Sequence, residues 1–382
     1  MTNRAADVKT VVHIIDTMAG GGTQETVMCT LAQSRHPRLK HTLVQITPDN
    51  VYGNQIRTLN LPHLTIDPRP VTSMYTRLPR HLFSLFLAVR SLRPDLLVCR
   101  LPAAQLYGFV CGKILGIPLI FGLEGHFSQY PGWYCGFVRQ AAPRVDLLYA
   151  VYEDNMETLR RAGARVARYP ICMVFEQEHA VDEAFERFLA AAGKGPFLAC
   201  AGRLHPDKGH QYAIKALARL RGEHPGLRLF VAGTGAYEAE LRELAAGLGV
   251  SDMVYFCGFV RNLRRFWSVM DVCVQGSVNE MVNRSSLWAL KLGAPVVKFR
   301  LALPEHFDLE AAQCGRFVTL DEDAAALATA LRSMLEPARL QDMGQAATAF
   351  ADTLPDAQQA ADAFDAMYCD VLGLTRPAGE QA

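Results

Sequence analysis

The sequence predicts an α/β protein built from two doubly wound parallel sheets in tandem. Three observations carry that expectation. The chain has 382 residues, half of them hydrophobic and a fifth charged, with 29 glycines and 20 prolines spread along it. That length exceeds what one ordinary core encloses, so two domains are expected. Short, nearly continuous apolar runs alternate with longer helical stretches, the pattern of strands buried on both faces beneath helices. The alternation pauses near residue 170 and restarts at PFLACAGRL.

The first series of strands is KTVVHIID, TLVQI, PDLLVC, IPLIFG and DLLYAV, interleaved with helical stretches such as TQETVMCTLAQS and LPRHLFSLFLAVRSL. A charged helical bridge, DEAFERFLAAAGKG, separates it from the second series. That series runs PFLACAGRL, GLRLFVAG, DMVYFCG, DVCVQG, APVVKF and GRFVTL. A last helical stretch, DAQQAADAFDAMYCDVLGL, precedes the tail TRPAGEQA. Two such sheets facing each other would place a ligand in the cleft between them, beyond the carboxyl ends of the strands.

Composition removes several function classes. A net charge of +1 gives no support for a nucleic-acid partner. Of the ten cysteines, Cys99, Cys200, Cys257 and Cys273 fall in apolar runs such as DLLVC, FLACAG and DVCVQG, and there is no CxxC pair, so buried thiols in a reducing cytosol are expected. VVHII is too short for a signal sequence or a membrane span, and the expected location is cytoplasmic.

Four loops after strands have the chemistry to grip a phosphate. In DTMAGGGTQE a strand enters three glycines and then a helix; Gly20, Gly21 and Gly22 permit close backbone approach to an anion, without full GxGxxG spacing. In CAGRLHPDKGH, Arg203 and Lys208 flank a strand-to-helix turn, two cations suited to a diphosphate leaving group. In FVAGTGAYEAEL, Gly233 and Gly235 would let a nucleotide lie against the backbone. In NEMVNRSSLWALKLGAPVV, Ser285 and Ser286 are good caps for a helix that starts at them. Glu280 lies just ahead, as an acceptor for sugar hydroxyls or as a plain exposed loop acid.

With these four in order, the chain resembles the group 1 (family 4) retaining glycosyltransferases of the GT-B fold. The similarity is strongest over 197–335, from FLACAGRLHPDKGHQYAIKAL to GRFV. The resemblance implies two Rossmann-like domains facing across a cleft. An acceptor-side domain would span 1–172, with the helix of 355–382 crossing back to it, and a nucleotide-sugar donor domain would span 173–354. It implies transfer of a sugar from a nucleotide-diphosphate sugar to a hydroxyl of a glycan, lipid-linked or small-molecule acceptor. Configuration would be retained, with no essential metal and no cofactor beyond the donor, in polysaccharide or glycoconjugate biosynthesis. It assigns Arg203 and Lys208 to the diphosphate, Gly21 and Gly22 to the phosphate-approaching loop, and Glu280 to the first acid of an E-x7-E motif that contacts the donor sugar. His126, in FGLEGHFSQYPGWY, matches a histidine placed near the reacting sugar, with Glu124 as an alternative and an ordinary aromatic rim loop as the other reading.

The pattern also breaks. The second motif acid falls at Trp288, whose indole can stack on a ligand but can only donate a hydrogen bond. RYPICMVFEQE replaces an Asn-Gly-x-Asp-like turn, and KFRLALPEHF lacks the Gly-Gly that often precedes Pro-Glu. A degenerate member that binds without catalysis, or an epimerase of similar fold, is therefore the alternative. The DED at 321–323 opens an alanine-rich helix, so helix capping rather than metal binding is expected there; His205 and His210 lack a third ligand. Arg77, Arg80, Arg90 and Arg93 surround an apolar helix without sharing one face at helical spacing. Basic ends of a buried helix explain them as well as peripheral contact with the inner face of a membrane does.

Overall fold

A computed structural model of the chain describes residues 8–19, 22–67, 78–171, 182–278, 283–300 and 307–374. The chain divides into two compact units, Met1–Val174 with Pro355–Ala382, and Phe175–Leu354.

The first unit holds strands β1 (Lys9–Ile15), β2 (Leu39–Gln45), β3 (His63–Thr65), β4 (Leu96–Arg100), β5 (Leu119–Leu123), β6 (Leu147–Ala150) and β7 (Val166–Arg168). Between them run helices α1 (Gly22–Gln33), α2 (Gly53–Thr58), α3 (Leu78–Leu92), α4 (Pro102–Leu115), α5 (Gly132–Ala141) and α6 (Glu153–Arg161). The sheet is wholly parallel in the order β3-β2-β1-β4-β5-β6-β7. Every residue of β4, β5 and β6 is buried because helices cover both faces. Val12, Ile14, Leu97, Cys99 and Phe121 face one core, with Leu85, Val89 and Tyr107 from α3 and α4.

The second unit begins with α7 (Glu183–Ala192), capped by the Asp182 side chain, which accepts from the Phe185 N–H at 3.2 Å. It continues through β8 (Phe197–Ala201), α8 (His210–Leu220), β9 (Arg228–Ala232), α9 (Glu238–Gly247), β10 (Val254–Gly258), α10 (Leu263–Trp267), β11 (Val272–Gln275), α11 (Arg284–Lys291), β12 (Val296–Phe299), β13 (Gly315–Val318), α12 (Ala325–Met334) and α13 (Pro337–Thr353). Its parallel sheet has the order β10-β9-β8-β11-β12-β13. Leu198, Val231, Val274, Val297 and Phe299 meet Ile214, Leu217 and Leu331 in its core. Asp321 Oδ2 accepts the Ala325 and Ala326 N–H groups at 2.9 and 3.1 Å, so the DED stretch caps α12.

The chain then returns to the first unit as α14 (Ala357–Val371), which starts with a capping box made by Asp356 and Gln359. Phe364 and Tyr368 of α14 close a second core with Val11, Leu96, Val98, Ile120 and Tyr149. A buried polar chain also ties it down. Ser34 Oγ donates to Asp365 Oδ2 at 2.8 Å, His41 Nε2 lies 2.9 Å from Ser34 Oγ, and His13 Nε2 lies 3.0 Å from His41 Nδ1. Burial pulls His41 down to about 4 and pushes Asp365 up to about 6, so both are neutral between those values.

The expected strands are all present. The structure adds β3 and β7, three-residue edge strands too short to register as apolar runs. None of the nine described cysteines is in a disulfide. Among the described residues no helix is long and apolar enough to cross a membrane.

Candidate active site

In a doubly wound sheet the order of strands reverses at one point, and the loops there splay apart to leave a crevice. In the second unit that point lies between β8 and β11. The loop after β8 carries Arg203 and a 3-10 turn, Pro206–Lys208; the loop after β11 leads to α11. Both loops are pinned to each other, since the Val278 N–H and the Ser277 hydroxyl donate to the Asp207 carbonyl at 3.1 and 3.3 Å. Gly209, at φ 70°, has room only for hydrogen: a Cβ there would stand 1.7 Å from the Gly276 carbonyl oxygen. Gly233 and Gly235 serve the same neighbourhood. A Cβ on either would fall 1.8 or 2.2 Å from the carbonyl oxygens of Gly202 and Leu204, so these glycines let the β9 loop back the segment that holds Arg203.

A small pocket opens at this switch point, lined by Lys208, His210, Gln275, Gly276, Asn283 and Ser285. The helix behind it starts at Arg284, two residues earlier than a Ser285 cap would give. Asn283 is the cap: its Oδ1 accepts the Ser286 N–H at 2.7 Å. The Ser286 hydroxyl lies within reach of both Asn283 Oδ1 (2.9 Å) and Gln275 Oε1, and it fixes the cap from beneath rather than lining the pocket. Ser285 does line it, and its buried Oγ has no hydrogen-bond partner among the described residues. His210 Nε2 donates to the Arg203 carbonyl at 3.2 Å, which leaves Nδ1 as a buried acceptor at the pocket; burial lowers this imidazole's pKa. Arg203 is exposed and Lys208 half-buried. Arg284 stands at the first position of α11, and burial brings its guanidinium down to about 10. A cation at a helix N-terminus opposes the helix dipole, and an anion bound there would relieve the conflict.

Trp288 lies away from this wall. It is 4% exposed, on a helix that packs against α10 and α13. Gly22 opens α1, and a Cβ there would meet no atom within 4 Å. Gly21 and Glu280 lie outside the described residues, as does Pro304–Glu305.

The carboxyl edge of the first unit has different chemistry. Asp16 follows β1 and accepts the Ala103 and Ala104 N–H groups at 3.1 and 2.6 Å, capping α4 across the switch point between β1 and β4. Burial, against those two bonds, pushes its carboxyl up to about 7. Arg100 ends β4 at 1% exposure, its guanidinium 5.5 Å from the Tyr149 ring and 5.0 Å from the Phe364 ring. Its Nη1 lies 3.9 Å from Glu124 Oε1. Glu124 is raised by burial and lowered by Arg100 and by a hydrogen bond from Thr23, which ties it to the start of α1. His126 lies two residues on. Its Nε2 is 2.5 Å from Asp154 Oδ2 at the start of α6, and its Nδ1 is 2.7 Å from Ser128 Oγ.

Sequence reasoning missed Asn283, Asp16, Asp154 and Ser128, and weighed His210 only as a metal ligand. An acid closing a strand before a helix start was a readable signal for Asp16. Among the described residues no group of His, Cys, Asp and Glu has the arrangement of a metal site.

The family model for "Glycosyl transferases group 1" matches residues 195–337. An exopolysaccharide phosphotransferase of Streptomyces coelicolor is 27% identical over 266 residues, 68% of this chain and 27% of that protein. An uncharacterized glycosyltransferase of Methanocaldococcus jannaschii is 33% identical over 208 residues, 52% of each. The matched stretches thus span about a quarter and about half of these relatives' own lengths. The crystal structure of HepE from Anabaena, in complex with UDP and glucose, superposes over 94% of this chain and 98% of its own, with a TM-score of 0.77 at 18% identity. The group 1 glycosyl transferase model thus matches the second unit over residues 195–337, and the two sheets with the returning helix have the GT-B fold.

Proposed function

We propose that the chain is a glycosyltransferase. The second unit holds a nucleotide-diphosphate sugar, and the first presents a hydroxyl acceptor, a glycan, a lipid-linked sugar or a small molecule. The sugar passes with retained configuration and without a metal, in polysaccharide or glycoconjugate biosynthesis. The observation that carries this reading is the pocket at the β8/β11 switch point, where Lys208, the orphaned Ser285 hydroxyl and the N-terminus of α11 converge. Donors of that kind suit a diphosphate, whose charge grows as the bond to the sugar breaks. Arg203 supplies a second cation, Gly21 and Gly22 the backbone approach, Glu280 an acceptor for sugar hydroxyls, and Gly233 and Gly235 the support for the cation loop. HepE, crystallised with UDP and glucose on the same fold, supports the choice of donor class.

A thermal-shift panel of UDP, GDP, ADP, UDP-glucose and GDP-mannose in EDTA tests it. A donor at a hundred times its dissociation constant adds about 2.7 kcal/mol of stability, a clear rise in melting temperature. No rise with any member contradicts the reading. One observation favours a second reading, binding without turnover: a buried tryptophan occupies the place of the second motif acid. Release of nucleoside diphosphate from a bound donor excludes it, and an epimerised sugar among the products would replace both.

The cellular setting is cytoplasmic, without nucleic acid, at the inner face of a membrane. Helix α3 supports the membrane contact. Arg80, Phe83, Leu87 and Arg90 fall on one exposed face; Phe83 is 64% and Leu87 49% exposed. The opposite face, His81, Leu85 and Val89, is buried. Arg77 lies outside the described residues and Arg93 beyond the helix end. Flotation with anionic liposomes should carry the protein upward, and Phe83→Glu with Leu87→Glu should leave it in the soluble fraction.

A further inference from the structure

His210 opens α8 and is 2% exposed, yet only one of its ring nitrogens has a partner among the described residues. Nε2 donates to the Arg203 carbonyl at 3.2 Å. Nδ1 is buried without a hydrogen bond, in a residue that lines the switch-point pocket with Lys208 and Ser285. The Ser285 hydroxyl is orphaned in the same way. The space these residues line is about 10 Å³, the room taken by one water molecule or one phosphate oxygen.

The bond to Arg203 fixes which hydrogen the ring carries. A carbonyl oxygen only accepts, so Nε2 holds the hydrogen and Nδ1 of the neutral ring is a lone pair. Moving the hydrogen to Nδ1 would set a lone pair on Nε2 against the carbonyl oxygen. The neutral ring therefore offers the pocket an acceptor and never a donor. Its neighbours suit an anion: Lys208, the Ser285 hydroxyl and the N-terminus of α11. A lone pair facing a phosphate oxygen repels it. Only the imidazolium, with a hydrogen on each nitrogen, satisfies the carbonyl and the anion together.

The groups around the ring decide when it takes that second proton. Burial is the main force that keeps it neutral in the free protein, and Lys208 adds to it; the Arg203 carbonyl and Asp207 act the other way. The Asp207 carboxylate is already engaged, 2.6 Å from His205 Nδ1. Arg203 stands exposed on the loop after β8, and Arg284 opens α11. The Cys200 and Cys273 thiols, from β8 and β11, stay protonated because burial raises both. Cations thus outnumber anions around the free pocket, and a bound diphosphate reverses that balance.

We propose that His210 takes up a proton as the diphosphate binds and becomes a third cation of the donor site, an inference that rests on the glycosyltransferase reading above. The proton comes from solvent and returns to it when the nucleoside diphosphate leaves; the acceptor's proton is not involved. Nδ1–H donates to a phosphate oxygen whose charge grows as the bond to the sugar breaks. The bound state holds one proton more than the free state, so donor affinity falls as pH rises.

Calorimetric titration of UDP-glucose, whose esterified phosphates do not titrate near neutrality, tests this. At one near-neutral pH, the slope of binding heat against the ionisation enthalpy of the buffer counts the protons taken up. The wild type should approach about one proton per donor, and its dissociation constant should rise by up to about tenfold per pH unit. His210→Gln, whose amide can keep the bond to the Arg203 carbonyl, should bind about 10- to 100-fold more weakly, with no uptake and a flat pH dependence. The 15N shifts of the wild-type ring should show hydrogen on Nε2 alone in the free protein and on both nitrogens in the complex. These spectra decide the matter even where the variant does not fold. Binding without proton uptake, uptake undiminished in His210→Gln, or a ring still neutral in the complex, as a bridging water would leave it, overturns the proposal. Absence of binding by both UDP-glucose and GDP-mannose refutes the donor reading, and the proposal with it.

Discussion

In the first unit the switch-point strands β1 and β4 lead to Asp16 and Arg100, and the next strand leads to Glu124. In the second unit the matching pair, β8 and β11, leads to Arg203, Lys208 and the start of α11. Both sheets are parallel and doubly wound, so topology alone provides each with a crevice. The charge placed there differs in sign. The first unit seals its cation away, against two aromatic rings and beside Glu124, and turns the Asp154 carboxylate and the His126 imidazole outward. The second leaves Arg203 exposed and Lys208 half-buried beside unsatisfied hydrogen-bond groups. An edge of carboxylates repels a diphosphate and accepts hydrogen bonds from hydroxyls, whereas a cationic edge does the reverse. On the proposed reading, one fold serves two reactants through a handful of residues at strand ends.

The largest effect expected on this comparison comes from the sealed cation. Arg100→Ala strips Glu124 of its buried partner and should destabilise the first unit by about 3–5 kcal/mol, measured by urea unfolding. Arg100→Met, which keeps the packing between the rings, should cost clearly less. Next come the exposed cations. Arg203→Ala and Lys208→Ala should each weaken donor binding by about 1.5–3 kcal/mol, the range for hydrogen bonds to charged groups. That is roughly 10- to 100-fold, with the melting temperature of the free protein nearly unchanged. Equal donor affinity in both variants would erase the distinction between the two edges. Asn283→Ala removes the cap of α11 and should lower stability by about 1 kcal/mol while loosening the donor pocket.

The smallest effect is a compensation within the first unit. Folded His41 resists protonation, so the unfolded chain binds more protons between pH 6.5 and about 4, and stability from this group falls as pH drops through that window. Folded Asp365 resists ionisation, so its contribution is complete below 3.8 and is lost as pH rises through about 6. The two slopes oppose each other. Thermal melts from pH 6.5 to 4 should show Asp365→Asn losing stability on acidification relative to the wild type, and His41→Asn gaining it. Parallel curves for all three proteins would show that the chain from His13 to Asp365 does not hold α14 in the way its geometry indicates.

How far these features could be read beforehand follows from their physics. Buried parallel strands announce themselves as apolar runs, and both sheets were legible for that reason. β3 and β7 were not, since three edge residues with polar or exposed side chains make no pattern. At α11 the sequence offers Asn283, Ser285 and Ser286, all good cap formers; which one caps depends on the reach of one side-chain oxygen, beyond the resolution of propensity. On α3 the four arginines have no common face at helical spacing, and the exposed face of Arg80, Phe83, Leu87 and Arg90 shows only once burial is known. Asp154 and His126 are 28 positions apart, and only the pairing of β5 with β6 brings their loops together.

Calorimetric titration of UDP, GDP and ADP, each against its own nucleoside, tests the diphosphate assignment of the second unit most directly. The tightest diphosphate should bind at least about 100-fold better than its nucleoside, from two charge-assisted contacts of about 1.5–3 kcal/mol each. In the Arg203→Ala/Lys208→Ala double variant that gap should collapse. A nucleoside that binds as tightly as its diphosphate, or a gap that survives both substitutions, would contradict it.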